Sequence, residues 1–576
     1  MKTNKHLIAV AASLVAASLL GGCGAGTGSD ASSAQQPTLL ATAGVETFGL
    51  SSDANFYTID TGAGLVFKVR RVDNGSSTQS AGDIASMIYN GVQYQDQSRG
   101  SQVNSGFDFL YSGVSAVNVS ATTVGTDYIK VTVNAGNLTH YYMAHRGDAK
   151  IYMGTYFTSE PDTLGLARYI VRIPIAVLPN GPTPSNIRNN TGAIESGDIF
   201  GMADGTTRSK HYSNQRLKDW SYIGATGSSV GVWMVRDNNE GNSGGPFFRS
   251  LMNQGTDTNQ EITYIVNYGE SQTEAYRTSV LNAYTLVFTS GGAPGTVDTS
   301  WFGSMGLTGY VAPTGRGRVA GVGINNRDTS FGYTVGFSNA NAQYWATADA
   351  TTGSFNCTGM RPGTYTMKIY KNELAVDTRS VTVTAGGTVA LNTITLSGDP
   401  TKSNQLWRIG NWDGAPTEFL NGTKVTSMHP SDVRMSSWNT GNFTIGSSSA
   451  ATGWPAYQWK SVNDNRVIKF NLTSAQAATN YTLRVGITTA FSGARPKPLL
   501  NSWAPANPAA STQPTTRNLT AGSYRGNNTM YSWDIPAGTL VAGTNTLTIS
   551  AISGSTGTTY LSPGMSYDAI DMIPTP

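Results

Sequence analysis

Short runs in which every second residue is apolar are the feature that most restricts how this chain can fold. Residues 64–69 (GLVFKV) and 128–133 (YIKVTV) are two examples. Side chains two positions apart lie on the same face of a β-strand, so each run predicts a strand with one buried face. Turn-forming clusters such as residues 73–77 (DNGSS) separate the runs, and no long apolar helical stripe is evident. The pattern predicts an all-β protein of many short strands.

Length and composition predict several domains and exclude some classes of partner. The chain has 576 residues, too many for one hydrophobic core. Only 13% of residues are charged, whereas there are 66 Gly and 27 Tyr. This mixture fits strands, tight turns and aromatic rings available to sugars, and it does not fit disorder. The net charge of +3 is spread without a basic cluster, so nucleic acid is not an expected partner.

The N-terminus has the features of a bacterial export signal. A basic end precedes an apolar stretch, residues 7–20, that is too short for an ordinary membrane-spanning helix. Residues 20–23 (LGGC) match a lipobox, which predicts removal of residues 1–22 and a lipid anchor on Cys23. The alternative is simple secretion with an incidental Cys23. Residues 23–36 are rich in Gly, Ala, Ser and Thr and predict a flexible spacer.

Three segments follow the spacer, and each predicts a β-domain. Residues 37–313 alternate over a length that suits one large β-sandwich. Residues 314–398 have the size and strand pattern of a fibronectin-III or prealbumin-like sandwich. Residues 399–576 fit a jelly roll, a fold found in carbohydrate-binding modules.

Several separated stretches match one known family in the order of its domains. In the first segment they are residues 168–172 (RYIVR), 207–210 (TRSK), 244–249 (GGPFFR) and 272–274 (QTE), and in the third they are residues 407–410 (WRIG), 412–414 (WDG), 428–432 (MHPSD), 483–486 (LRVG) and 492–496 (SGARP). On these stretches the chain resembles the family-4 polysaccharide lyases, the rhamnogalacturonan lyases. The resemblance implies that residues 37–313 form a catalytic β-sandwich and that the chain is a pectin-degrading enzyme, which cuts the bond from rhamnose to galacturonic acid at O4 of the uronic acid. The protein is separately expected to be a monomer.

β-Elimination needs a base at C5 and a positive charge that holds the carboxylate. Lys210 aligns with the family's catalytic lysine, and its alternative is a surface lysine in a polar turn. A lysine works as a base near neutral pH only if its pKa is lowered, and Arg168 and Arg208 are candidate sources of the nearby positive charge that would lower it. Arg208 is also a candidate substrate-binding residue. Arg168 also aligns with a substrate-binding arginine, and its alternative is a strand ion pair.

The acid that assists the leaving oxygen is where the chain departs from the family. Family members carry a histidine two positions before Gln-Thr-Glu, and here that position is Glu270. A buried carboxyl with a raised pKa can donate a proton to O4, whereas an ionised one repels galacturonate. Glu270 is therefore either a substituted acid or a sign of altered activity.

Three further residues near this position are candidate substrate-binding residues. Tyr264 and Tyr268 can stack on sugar rings, with core packing as the equal alternative. Glu274 can orient Lys210 or Arg168, or it can pair locally with Arg277.

No metal constellation stands out, and no cofactor is expected. Asp568 and Asp571 are loose candidates for a structural calcium site, and ordinary polar strand residues are the stronger reading. Three other functions stay open: a pectin-binding surface lipoprotein that has lost its acid, a glycoside hydrolase that uses Glu270 and Glu274, and a structural surface protein.

Overall fold

The computed structural model describes residues 47–575, apart from residues 76–77, 163–164, 214, 511 and 523–524. The predicted signal (residues 1–22), the spacer (residues 23–36) and Cys23 lie outside the described residues, as does the side chain of Glu270. Within the described residues, no helix has the length and apolar character needed to cross a membrane.

Short strands separated by tight turns form the first domain. They are β1 (Gly49–Ser52), β2 (Phe56–Asp60), β3 (Leu65–Arg70), β4 (Ile84–Tyr89), β5 (Val92–Gln93), β6 (Gln102–Val103), β7 (Asn118–Val124), β8 (Tyr128–Ala135), β9 (Leu138–His145), β10 (Lys150–Phe157), β11 (Ala167–Pro174), β12 (Gly192–Glu195), β13 (Ile199–Gly201), β14 (Thr207–Ser209), β15 (Tyr222–Thr226), β16 (Gly231–Arg236), β17 (Leu251–Gly255), β18 (Asn259–Asn267) and β19 (Leu281–Thr289).

Two large sheets of the first domain enclose its hydrophobic core. One has the strand order β15-β16-β19-β10-β9-β8-β7, and the other has the order β17-β18-β11-β6. Tyr142 on β9 and Tyr169 on β11 meet between them, with 3.1 Å between their hydroxyl oxygens, and both side chains are 0% exposed. A further sheet, β1-β2-β3-β4-β5, adds Phe67 to the same core. This packing produces the large β-sandwich.

The second domain is a smaller sandwich with its own core. Its strands are β20 (Gly317–Gly321), β21 (Ile324–Asn325), β22 (Tyr333–Ser338), β23 (Gln343–Thr347), β24 (Phe355–Met360), β25 (Gly363–Lys371), β26 (Leu374–Val383), β27 (Thr388–Leu391) and β28 (Ile394–Thr395). The sheets β24-β20-β27 and β23-β22-β25-β26 face each other, and β21 pairs with β28. Val319 from the first sheet and Ile369 from the second belong to one core cluster.

The third domain is a two-sheet jelly roll. Its strands are β29 (Trp407–Gly410), β30 (Phe443–Thr444), β31 (Tyr457–Trp459), β32 (Arg466–Leu472), β33 (Tyr481–Phe491), β34 (Arg495–Leu500), β35 (Thr529–Asp534), β36 (Gly543–Ile552) and β37 (Gly564–Pro574). One sheet has the order β29-β37-β33-β35 with β31 also paired to β37, and the other has the order β30-β32-β36-β34. Leu483 and Leu547, one from each sheet, lie in the same core cluster.

Helices in the described part of the chain are short and connect strands. The α-helices are α1 (Ala450–Gly453), α2 (Ser474–Ala477) and α3 (Asn518–Ala521). The 3₁₀ helices are Thr183–Ser185, Lys210–Ser213, Gly269–Ser271, Ser300–Ser304, Pro313–Gly315, Pro400–Lys402 and Thr559–Leu561. The predicted all-β class is confirmed, and the predicted domain boundaries at residues 313/314 and 398/399 stay predictions.

A buried carboxyl in the first domain makes folding stability depend on pH. Asp237 follows β16, and its Oδ2 accepts a hydrogen bond from the Thr285 hydroxyl at 2.6 Å. Its Oδ1 is buried and finds no hydrogen-bond partner among the described residues. Burial raises the pKa of Asp237 from 3.8 to about 7, against the opposing effect of the Thr285 hydrogen bond. The folded protein therefore keeps a proton that the unfolded chain releases, so this contribution to stability is present below pH 4 and is lost as pH rises to 7.

Asp237→Asn is expected to remove this loss. The pKa shift of Asp237 sets an upper bound of about 4 kcal/mol on the folding free energy that wild type loses between pH 4 and pH 8. Because solvent has partial access to this side chain, we expect the variant to gain only about 2 kcal/mol over wild type across that range. Denaturant unfolding at both pH values measures the difference. Asp257→Asn is the control because Asp257 is exposed. An equal pH dependence in Asp237→Asn and wild type would contradict the assignment.

Candidate functional site

The segment that carries Lys210 begins with a small antiparallel sheet of the order β12-β13-β14. Between β12 and β13 the chain reverses in a tight turn, in which the Asp198 N–H donates to the Glu195 carbonyl at 3.1 Å. The two central residues, Ser196 and Gly197, have φ values of 50° and 65°. Positive φ at both central positions matches the twist of a two-residue hairpin. The turn therefore holds the carboxylates of Glu195 and Asp198 near each other.

Lys210 is the first residue of the 3₁₀ helix Lys210–Ser213, directly after β14. Its Nζ forms a 2.7 Å ion pair with Asp198 Oδ1, and 22% of its side-chain surface is exposed. The helix is attached to β17, because the Ser213 hydroxyl donates to the Asn253 carbonyl at 3.1 Å and accepts from the Asn253 N–H at 3.2 Å. Lys210 thus has a supported backbone and an amine that solvent and substrate can reach.

Asp198 is a candidate functional residue that no sequence motif indicates. Its Oδ2 accepts a 2.7 Å hydrogen bond from Nη2 of Arg517, a residue of the third domain. Burial raises the pKa of Asp198, but the Lys210 charge and hydrogen bond, together with Arg517, outweigh burial and hold it below its ordinary value. Asp198 is therefore ionised at neutral pH and holds Lys210 by its charge.

The charges of Lys210 and Arg168 both act on the buried His211 ring. The Arg168 N–H on β11 donates to Asn104 Oδ1 at 2.8 Å, where the register with β18 shifts. Burial, followed by the Lys210 charge, lowers the pKa of His211 to about 3, and the charges of Arg517 and Arg168 act in the same direction. His211 is therefore unprotonated at neutral pH and is no substitute for the missing family histidine. Both charges act on the same buried ring, and a shared site of Arg168 and Lys210 stays a prediction.

The Arg208 guanidinium folds back onto the start of its own strand, β14. Its Nη1 donates to the carbonyl of Thr207 at 3.1 Å. Hydrogen bonds from Thr206 hold the pKa of Asp204 below its ordinary value. The charge of Arg208 acts in the same direction. These contacts place the guanidinium beside the β13–β14 turn, so a substrate-binding role for Arg208 stays a prediction.

The backbone that carries Glu270 lies at the Arg168 end of the same sheet. Glu270 is in the 3₁₀ helix Gly269–Ser271, just after β18. In the sheet register Asn267 pairs with Ala167, the neighbour of Arg168. The Ser271 hydroxyl donates to the Thr515 carbonyl of the third domain at 3.1 Å. The topology therefore brings the backbone at position 270 toward the site, and the role of its side chain stays a prediction.

The predicted substrate contacts of Tyr264 and Tyr268 require correction. Tyr264 is 0% exposed, its ring stacks on Tyr284 with centroids 4.3 Å apart, and its hydroxyl donates to Asn242 Oδ1 at 3.0 Å. Tyr268 is 3% exposed and packs against Phe248 with centroids 5.3 Å apart. Tyr264 belongs to the core between the two large sheets, whereas Tyr268 follows β18 and belongs to a separate small cluster with Phe248 and Met252.

Glu274 pairs locally, so its predicted role in orienting Lys210 or Arg168 also requires correction. Its Oε2 accepts hydrogen bonds from Arg277 Nη2 at 2.5 Å and from the Gly244 N–H at 3.0 Å. Burial raises the pKa of Glu274, but the Arg277 charge and these hydrogen bonds outweigh it and lower the pKa overall. Glu274 therefore stabilises the residue 244 loop as a carboxylate.

The loosely predicted calcium ligands have other partners. Asp571 accepts two hydrogen bonds from Arg484, at 2.8 and 2.7 Å, and one from Trp412 Nε1 at 2.8 Å. Asp568 Oδ1 accepts from the Gly414 N–H at 2.6 Å. Across the described ranges, no group of three His, Cys, Asp or Glu side chains is arranged to hold a metal ion. These contacts favour the reading of both residues as polar strand residues.

A cavity of about 420 Å³ lies where the three domains meet. Its wall includes Tyr212 and Arg216 of the first domain, Glu373 of the second and Asn518 of the third. Arg216 Nη1 donates to Glu373 Oε1 at 3.1 Å and so links the first two domains. Because Tyr212 belongs to the same 3₁₀ helix as Lys210, the domain junction adjoins the candidate site.

Three family models match successive parts of the chain. Residues 48–309 match the N-terminal domain of rhamnogalacturonan lyase B. Residues 315–391 match domain II of polysaccharide lyase family 4, and residues 405–572 match domain III of that family.

Proteins that are similar over most of the chain are also named as rhamnogalacturonate lyases. Rhamnogalacturonate lyase A of Emericella nidulans is 42% identical over 529 residues, which cover 91% of this chain and 96% of the relative. Rhamnogalacturonate lyase A of Aspergillus aculeatus is 41% identical over 530 residues, with the same coverage of both chains. A probable rhamnogalacturonate lyase A of Aspergillus terreus is 43% identical and covers 90% of this chain and 93% of the relative. With all three domains matched in order, the chain belongs to polysaccharide lyase family 4.

Proposed function

We propose that this protein is a rhamnogalacturonan lyase that cleaves the bond from rhamnose to galacturonic acid by β-elimination. The observation that carries the proposal is the identity of about 40% to proteins named rhamnogalacturonate lyase A over nine-tenths of the chain. The charges of Lys210 and Arg168, which both act on the buried His211 ring, support it from the structure. A glycan-binding protein without activity is the less favoured alternative.

In the proposed reaction Lys210 removes the C5 proton of galacturonate as a free amine. The C5–H electron pair forms the C4=C5 double bond, while the C4–O4 bond breaks and its electrons leave with O4. Arg168 binds the carboxylate and stabilises the negative charge that develops on it in the transition state. Glu270, when protonated, donates a proton to O4. Lys210 must leave its ion pair with Asp198 to reach C5, so the balance of charge around Asp198 bears on the rate.

The test of the proposed function is the ultraviolet absorbance of the new C4=C5 double bond while the purified protein acts on rhamnogalacturonan. We expect the absorbance to rise and chain length to fall together. Polygalacturonate without rhamnose is the control substrate, on which no rise is expected. Saturated products would instead indicate hydrolysis, and a constant signal from folded protein would contradict the proposal.

Glu270→Gln tests the proposed acid. The amide cannot donate a proton to O4 as an acid does, so kcat is expected to fall by about 10²-fold with KM nearly unchanged. Glu270→His restores the family's residue type and is expected to remain within about tenfold of wild type. Initial rates across a substrate series measure both parameters. Wild-type activity in Glu270→Gln would place the acid elsewhere.

We also propose that the protein is exported and attached to a membrane by a lipid on Cys23, at the outer membrane or cell surface. Residues 20–23 (LGGC) after an apolar stretch support this proposal. Secretion without the anchor is its alternative. A monomeric state and a structural calcium ion in the third domain are further proposals, and the Arg484 and Trp412 contacts of Asp571 argue against that residue as a ligand.

A further inference from the structure

Arg517 of the third domain contacts the carboxylate that binds Lys210, the proposed base. Arg517 immediately precedes α3, and its two terminal nitrogens contact two carboxylates of the first domain. Nη2 donates to Asp198 Oδ2 at 2.7 Å, and Nη1 donates to Glu195 Oε1 at 2.7 Å. Because Lys210 binds the other oxygen of Asp198, Arg517 and Lys210 share this carboxylate. A planar guanidinium with two engaged nitrogens fixes geometry better than a flexible ammonium does.

Further third-domain contacts hold Glu195 in place beside Arg517. His429 Nε2 lies 3.1 Å from Glu195 Oε2, and the Thr520 hydroxyl donates to Glu195 Oε1 at 2.9 Å. Burial raises the pKa of Glu195, but its hydrogen bonds with His429 and Thr520 and the Arg517 charge lower it overall. Glu195 is therefore a carboxylate at neutral pH, and it binds the Arg517 nitrogen that does not contact Asp198.

A second set of contacts attaches the small sheet to the third domain independently of Arg517. Asp432 Oδ2 accepts from the N–H and hydroxyl of Thr207, at 2.7 and 2.8 Å. Arg434 also donates to Asp432, at 2.7 Å. Gly205 touches Val433 so closely that a Cβ at position 205 would lie 2.4 Å from Val433 Cγ1. We therefore expect the contacts of Thr207 and Gly205 to keep this interface intact in a variant without Arg517.

We propose that Arg517 is a positioning residue for the lyase reaction, supplied by the third domain. It keeps one oxygen of Asp198 occupied, so Asp198 can hold Lys210 through the other oxygen only. Arg517 also offsets the negative charge that binds Lys210, which lets the amine leave Asp198 and reach C5. Without Arg517 both oxygens of Asp198 are open to the ammonium, and Lys210 is held away from the substrate. The inference rests on the proposed role of Lys210 as base.

Arg517→Ala is expected to lower kcat by about 30-fold, because a misplaced base costs rate, and to change KM by less than about threefold. Arg517→Lys retains the charge but does not span both carboxylates, so a fall of only about fivefold is expected. Both parameters are measured from the ultraviolet signal on rhamnogalacturonan. If Arg517→Ala does not fold, Arg517→Lys decides, since a wild-type kcat in that variant would overturn the inference.

The control is Arg434→Ala, which removes an arginine–carboxylate contact from the same interface but does not touch Asp198. Its kcat is expected to stay within about twofold of wild type, even if the melting temperature falls. Equal losses of kcat in the Arg434 and Arg517 variants would indicate general loosening and overturn the inference. The inference would be rejected, with the proposed function intact, if wild type is active, Lys210→Ala is inactive and Arg517→Ala is fully active. Wild-type protein without activity would reject both.

Discussion

Lys210→Ala is expected to lower kcat for β-elimination by about 10³-fold or more, because a positioned base contributes roughly 10²–10⁴-fold. The change removes the amine that is proposed to take the C5 proton and leaves Arg168 and the sheet that carries it in place. KM should therefore change little. The ultraviolet signal of the unsaturated product measures the rate, and a thermal melt shows whether the variant is folded.

Two further variants separate the role of a base from that of an ion pair. Lys210→Arg can still pair with Asp198, but a guanidinium stays protonated and cannot accept the C5 proton, so it is expected to be as inactive as Lys210→Ala. Lys218→Ala removes a lysine that pairs with Asp219 at 3.1 Å, and its activity should equal that of wild type. Substantial activity in Lys210→Arg would mean that Lys210 acts only through its charge.

Asp571→Ala is expected to lower the free energy of unfolding by about 3–5 kcal/mol, the usual cost of breaking a buried ion pair from one side. The Asp571 side chain is 0% exposed and accepts from Arg484 through both oxygens, while Arg408 Nε lies 3.6 Å away. Its removal leaves the Arg484 charge and the Trp412 N–H buried without their acceptor. Urea unfolding, followed by the fluorescence of the third-domain tryptophans, measures the loss.

Asp534→Ala is the matched control for this prediction. Asp534 is on β35 in the same sheet and accepts a hydrogen bond from the Thr482 hydroxyl at 2.7 Å, but it is exposed. The expected loss is below about 1 kcal/mol, because water replaces an exposed hydrogen-bond partner. Similar losses of unfolding free energy in the two variants would contradict the prediction that the buried Asp571 stabilises the third domain more than the exposed Asp534 does.

The alternating pattern predicted the class of the fold and many of its strands. Residues 64–69 cover all of β3 except its last residue, and residues 128–133 lie in β8, because alternation of apolar side chains is a local property. The same pattern could not decide whether Tyr264 contacts sugar or packs in the core. A tyrosine on a strand faces solvent or a second sheet according to what packs above it, and that layer comes from β19, which carries Tyr284.

The sequence by itself determined the all-β class, the family, and the candidacy of Lys210 and Arg168, because strand periodicity and motif matches depend on neighbouring residues. Only the tertiary structure decided which charges surround Lys210. Asp198 comes from a hairpin turn without a motif, and Arg517 comes from another domain. Their contacts exist because the small sheet packs against the third domain through Gly205 and Thr207. Electrostatic partners that are distant in the chain leave no local pattern, since distance through space sets their interaction.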